Sequence, residues 1–368
     1  MSLIGHVTRI HFADRVLEDA LPEELRTLGV RRPLVLTDAA GEADEAFDRL
    51  ADVLPPQIVP LRHLDFVLAK GGRALVLALA ADSGADAVIG FGGAVALDLA
   101  RIIGRDALPA APVIALPTTT ASVGLGPVAE ALGQGAGVPA LILCDPTLTL
   151  AADAAATAAD GMDALIHCLE AYLGTASNPP ADGIALEGLR RAAAYLERAV
   201  ADGHDIEARR EMLAAALNAG LAAQKGLGGE HALALALEAE AGRTLRHGRL
   251  HAALLSPVMT FNAPAVADRL PALRATLRLP PGADVIGPLG ALGQRVGLSD
   301  QLTVLHLDAP ALARVALRAA EGGANRTNPR HATAADYRHM LEAALCPPGS
   351  VLQRGRTLRL PQGDSGSG

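Results

Sequence analysis

ADAVIGFGGAVALDLAR, residues 85–101, decides how the first part of the chain folds. Its opening, ADAVIGFGG (85–93), is a short apolar run ending in glycines, the pattern of a buried strand. RPLVLTD (32–38), APVIALPTT (111–119) and ALILCD (140–145) have the same character. Between the first two of these strands lie EAFDRLADVL (45–54) and GRALVLALAADSG (72–84), whose apolar residues recur at helical spacing. Strands alternating with helices predict a parallel sheet wrapped by helices. Ligands of such sheets sit beyond the carboxyl ends of the strands, where the Gly and Thr loops fall.

From about residue 151 long Ala/Leu/Glu/Arg stretches take over (151–173, 182–202, 205–224, 229–241, 309–321 and 333–345), and this half is expected to be helical throughout. The division is therefore 1–150 as an α/β domain, 151–346 as a helical domain and 347–368 as a loosely ordered Gly/Pro-rich tail. The length of 368 residues accommodates two domains, and a 50% hydrophobic content excludes global disorder. With no Trp, 3 Tyr, 5 Phe and a net charge of −8, base stacking and phosphate-backbone binding are both disfavoured, so no nucleic-acid partner is expected. Cys144, Cys168 and Cys346 are too few and scattered for a disulfide framework or zinc ribbon. No secretory signal pattern or membrane span is apparent, and the cytoplasm is the expected compartment.

GMDALIHCLEAY (161–172) carries the strongest chemical signal. On a helix Asp163 and His167, four residues apart, share a face and can grip one metal ion. Taken alone, such a pair is more often a solvated Asp and a core His. Two further histidines shift the balance. His231 opens EHALALALEA after a flexible GLGG, and His247 lies in RHGRLHAALL, ahead of another apolar helix. One carboxylate and three imidazoles suit Zn²⁺ or Fe²⁺, with a position left for water or a substrate oxygen. His251, one turn after His247, is the candidate catalytic side chain, placed to support the ligands or, with Arg249, to meet an anionic group. Glu170 shares a face with His167 and is expected on the solvated surface.

These segments, with NPPADGIALEGLR (178–190), AAQKGLGGEHALA (222–234), HGRLHAALLSPVMTFN (247–262) and NRTNPRHAT (325–333), resemble the iron-containing alcohol dehydrogenase family. VIGFGGAVALDLAR (88–101) resembles its glycine loop and following Asp, PVIALPTTTA (112–121) its Pro-Thr-Thr segment, and LILCDPTLTL (141–150) its Asp-Pro-x-Leu-Thr. The resemblance implies a dinucleotide-binding α/β domain, an all-α domain and a metal site in the cleft between them. It also implies NAD(H)-dependent interconversion of a small alcohol and its aldehyde or ketone, and a homodimer. By motif position the family's ligands fall on Asp163, His167, His231 and His247, and it is the resemblance alone that puts Fe²⁺ ahead of Zn²⁺.

The expected cofactor residues are Asp38, Gly90, Gly92, Gly93, Ala94, Val95, Asp98, Thr118, Thr119 and Ser122. The glycines let the backbone approach a pyrophosphate ahead of a helix N-terminus, the threonines add hydroxyl donors, and Asp38 would favour NAD by repelling a 2′-phosphate. Ala94 and Val95 stand where the family has Gly and Ser, and Leu235 where it usually has a histidine. These departures keep open an alternative, a metal-dependent lyase or isomerase on the same scaffold with weakened nicotinamide binding.

Overall fold

The computed structural model describes residues 8–37, 45–56, 59–61, 72–120, 139–242, 245–298, 302 and 305–345. Strands β1 (Arg9–Phe12), β2 (Pro33–Thr37), β3 (Val59–Leu61), β4 (Ala87–Gly92), β5 (Val113–Pro117) and β6 (Leu141–Cys144) form one sheet in the order β1-β6-β5-β4-β2-β3. Every pairing is parallel. The four strands expected from the sequence are the four in the middle of this order. The two edge strands, β1 and β3, have 4 and 3 residues and lack the long apolar run that marks the others.

Helices α1 (Val16–Thr27), α2 (Glu45–Val53), α3 (Gly72–Asp82) and α4 (Ala94–Asp106) wrap the sheet. One face packs on α1 and α2 through Leu17, Leu21, Phe47, Ile89 and Leu116. Leu36, Val76, Val88, Leu99 and Ile103 form a second core with α3 and α4. Asp145, at the end of β6, is fully buried and fixes the corner. Its carboxylate accepts the N–H groups of Arg15 (3.0 Å) and Leu17 (3.3 Å) at the start of α1, that of Thr147 (3.0 Å), and Arg49 of α2 (3.2 Å). The Asp-Pro-x-Leu-Thr segment is thus the clasp between sheet and helices.

Among the described residues no strand follows Cys144. The chain continues as α5 (Ala154–Leu173), α6 (Pro179–Ala201), α7 (Ile206–Ala222), α8 (Gly229–Ala241) and α9 (His247–Asn262). Then come α10 (Leu270–Thr276), α11 (Ile286–Arg295), α12 (Ala309–Glu321) and α13 (Ala334–Leu345). Side-chain caps set where four of them begin. Asp153, Asn178, Asp205 and Asp308 accept from Ala156, Ala181, Ala208 and Ala311 at the starts of α5, α6, α7 and α12. Each such cap contributes about 1 kcal/mol.

Helix α5 joins the two halves. Its Met162, Leu165 and Leu169 share a core with Leu97 of α4, Ala115 of β5 and Ile142 and Cys144 of β6. The fold is therefore an N-terminal α/β part and a C-terminal helical part, as the sequence predicts. Among the described residues, no helix is long and apolar enough to cross a membrane. The tail from residue 347 lies outside the described residues.

Candidate metal centre and cofactor edge

Three helices bring the candidate ligands together. Helix α5 supplies Asp163 and His167, α8 supplies His231 in its first turn, and α9 supplies His247 and His251, also four residues apart. Each of Asp163, His231, His247 and His251 offers one donor atom, and these atoms all lie within 4.8 Å of one another. His167 adjoins them, its ring centroid 4.1 Å from that of His231. Its Nδ1–H donates to the Asp163 carbonyl at 2.9 Å and lies 3.4 Å from Asp163 Oδ2, so Nε2 is the ring atom left to act as a donor.

The imidazoles are held from behind. His231 Nδ1–H donates to Glu170 Oε2 at 2.7 Å, His247 Nε2 lies 3.0 Å from Glu238 Oε2, and His251 Nδ1 lies 3.5 Å from Glu230 Oε2. Carboxylates that fix imidazole orientation in this way are characteristic supports of metal-binding histidines. Glu170 is 5% exposed and not on the solvated surface. Besides His231 it accepts the N–H groups of Gly228 (2.9 Å) and Glu230 (2.7 Å). It therefore ties α5 to the start of α8.

The GLGG segment is correspondingly pinned, not flexible. Asn328 Oδ1 accepts the Gly229 N–H at 2.9 Å and exchanges hydrogen bonds with Asn262, while the Thr327 hydroxyl donates to Leu227 O at 2.6 Å. Gly226 has φ +110°, and a Cβ there would meet Thr327 at 2.6 Å, so a side chain is excluded on both counts. The NRTNPRHAT segment near the C-terminus thus sets the height of His231.

Electrostatics favour a cation at this point. Burial would push Asp163 up, but the nearby imidazoles of His167, His251 and His247 hold its carboxyl far below the usual range. Burial, reinforced by the neighbouring imidazoles, keeps His231 neutral, and burial lowers His251 to about 4. Burial pushes Glu170 up to about 7 and Glu230 well above its ordinary value, the Glu170 charge adding to the second shift. Neutral imidazoles around an ionised carboxylate form a ready ligand set. The buried Nε2 of His231 has no hydrogen-bond partner, as a metal donor requires. The residues fit a divalent ion.

The described residues expected at a cofactor lie at the ends of β4 and β5 and the start of α4. Gly92 ends β4 with φ 151°, Gly93 is the N-cap of α4, and Ala94 and Val95 open that helix. The Thr118 N–H donates to Gly92 O at 3.0 Å, bringing the ends of β4 and β5 together. The Thr119 hydroxyl donates to Asp160, one turn before Asp163, which connects this edge to the metal helix. Asp98 is buried, 3.4 Å from Arg101 Nη1. The space left by Gly90 is taken by α4, since a Cβ there would meet Ala100 Cβ at 2.9 Å and Ala96 O at 3.0 Å. Asp38 and Ser122 lie outside the described residues.

Residues 8–125 match the family described as iron-containing alcohol dehydrogenase, and residues 157–345 match the C-terminal part of the Fe-containing alcohol dehydrogenase family. The chain belongs to the iron-containing alcohol dehydrogenase family. The 4-hydroxybutyrate dehydrogenase of Cupriavidus necator is 36% identical over 94% of this chain and 100% of its own length. The NAD-dependent methanol dehydrogenase of Bacillus methanolicus is 26% identical over 87% of this chain and 94% of its own. The maleylacetate reductase of Agrobacterium tumefaciens superposes with a TM-score of 0.78 at 25% identity, covering 94% of this chain and 98% of that one. A 1,3-propanediol oxidoreductase gives 0.80 at 24% identity, over 91% and 97% of the two chains. The chain is accordingly an oxidoreductase of the alcohol dehydrogenase type, and its Asp163, His231, His247 and His251 offer a donor set that could hold a metal ion. The redox reading, not the lyase or isomerase alternative, is the one these likenesses support.

Proposed function

We propose that this protein interconverts a short hydroxy acid and its aldehyde acid, R–CH₂OH + NAD⁺ ⇌ R–CHO + NADH + H⁺, with R carrying a carboxylate. The observation that carries the redox site is the cluster of Asp163 with His231, His247 and His251, with His167 alongside. The substrate class follows the likeness to 4-hydroxybutyrate dehydrogenase.

Asp163, His167, His231 and His247 are the proposed ligands by motif position. When bound, a divalent ion supplies a Lewis acid for the substrate oxygen, and NAD(H) takes or gives the hydride. The chain's own residues do the positioning. Glu170 and Glu238 set the His231 and His247 rings, and the His167 ring is set by its bond to the Asp163 carbonyl. Gly92, Gly93, Ala94, Val95, Thr118 and Thr119 form the proposed pyrophosphate edge, because a helix N-terminus favours an anion. Asp98 of α4, with Asp38 and Ser122, completes the cofactor proposal.

The division near residue 150, with the metal between the two parts, belongs to the same proposal, as do a homodimer and a cytoplasmic location. The test is steady-state reduction by Fe²⁺-loaded protein of 4-oxobutanoate against butanal, each with NADH and with NADPH. The expected result is a higher kcat/KM for the carboxylate-bearing aldehyde and for NADH. Preference for butanal overturns the substrate class, and lack of NADH oxidation with any aldehyde overturns the redox reading.

A further inference from the structure

Two imidazoles of the cluster are placed alike. His231 stands between Glu170, 2.7 Å from its Nδ1, and Asp163, whose Oδ1 is 3.9 Å from its Nε2. His251 stands between Glu230, 3.5 Å from its Nδ1, and the same Asp163 Oδ1, 3.4 Å from its Nε2. The two rings are 4.4 Å apart. His251 is 0% exposed, and neither of its nitrogens is hydrogen-bonded, although both face carboxylates. An imidazole buried that fully needs a partner for each ring nitrogen, and burying it without one is costly. Solvent cannot supply them here.

From this we infer that His251 is a fifth protein donor to the metal, bound through Nε2, with Glu230 as the positioning residue at Nδ1. The inference rests on the metal reading above and goes beyond its four ligands. The i,i+4 pair His247/His251 on α9 then matches the i,i+4 pair Asp163/His167 on α5, with His231 of α8 between them. One carboxylate oxygen and four imidazoles leave a single open position of an octahedron. That count suits Fe²⁺ and is too high for the four-coordinate geometry that Zn²⁺ favours. It also gives His251 a binding task, distinct from handling protons in the reaction.

The test uses Co²⁺ as the probe, added to metal-free protein. The unmodified protein is expected to give the weak visible bands of a high-coordinate ion. His251→Asn is expected to intensify them as the coordination number falls, and to lower Co²⁺ affinity about tenfold or more in competition with a chelator. Glu230→Gln, which leaves the imidazole in place, is expected to weaken binding less and to keep the weak bands. An unchanged spectrum and affinity in His251→Asn overturns the inference. Should that variant not fold, the unmodified Co²⁺ protein decides alone. Four hyperfine-shifted imidazole N–H resonances support the fifth donor, and three overturn it. Unmodified protein that takes up no Co²⁺ and no Fe²⁺ overturns the metal reading itself, an outcome distinct from loss of His251 alone.

Discussion

At the scale of single residues, Glu170 shows why a site can be half legible in a sequence. Asp163 and His167 announce themselves by spacing, because one helical turn is a local rule. Glu170 sits on the same helix and carries no such mark. Its burial depends on Gly228 and Glu230, which reach it from 58 and 60 residues away. It takes three N–H donors, two from the backbone and one from His231. A glutamine there offers one oxygen and an NH₂ that donates into the same space. Glu170→Gln is therefore expected to lower Fe²⁺ or Co²⁺ affinity by about 10–100-fold, as loss of such supports does elsewhere, measured by chelator competition.

Asp160 gives a pH signature. Burial raises it to about 6, outweighing the Thr119 hydrogen bond and the Arg246 charge, so the folded carboxyl holds its proton at pH values where the unfolded one has lost it. Stability then falls as pH rises from about 4 to about 6, and the penalty is complete above that range. Asp160→Asn keeps an acceptor for Thr119 and removes the charge. In metal-free protein it is expected to gain about 1–3 kcal/mol at pH 8 and nothing near pH 4, read from denaturant midpoints. An equal gain at both pH values would assign the effect to packing instead.

At the scale of elements, the long helices and central strands were readable because their apolar periodicity is strong. The edge strands were not, since 3 or 4 residues carry no period. Helix α1 was hidden by Pro22, which sits inside it. Crossings between helices leave only faint marks, and Gly248 is one. A Cβ there would stand 1.7 Å from the Ala159 carbonyl oxygen, so α9 touches α5 backbone beside His247. Gly248→Ala must push the two helices apart, at a cost of about 1–3 kcal/mol or more. It is expected to lower both the Tm and the metal affinity. Gly290 in α11 has nothing within 4 Å of its missing Cβ, and Gly290→Ala is expected to raise stability by about 0.5–1 kcal/mol with metal affinity unchanged. The pair separates helix propensity from close approach in one calorimetric comparison.

At the scale of the whole molecule, the donors come from α5, α8 and α9 and from none of the strands. A metal bound only by the folded state stabilises it by about 2.7 kcal/mol at a free concentration 100 times its dissociation constant. Chelation is therefore expected to lower the Tm, by an amount that grows with the metal concentration from which the protein is taken. The loss should not be uniform. Helix α5 has a second anchorage in the core it shares with the sheet, whereas the first turn of α8 is fixed by Glu170 and Asn328 and that of α9 by its contact with Ala159. Without the ion, His231 Nε2 and both nitrogens of His251 remain buried with no hydrogen-bond partner, and the cheapest relief is to open those two turns. Amide hydrogen exchange of the chelated protein is accordingly expected to speed up at the starts of α8 and α9 while β2, β4 and β5 keep their protection. Equal loss across sheet and helices would mean that the ion stabilises only by mass action on global unfolding, and that the helix starts are secured without it.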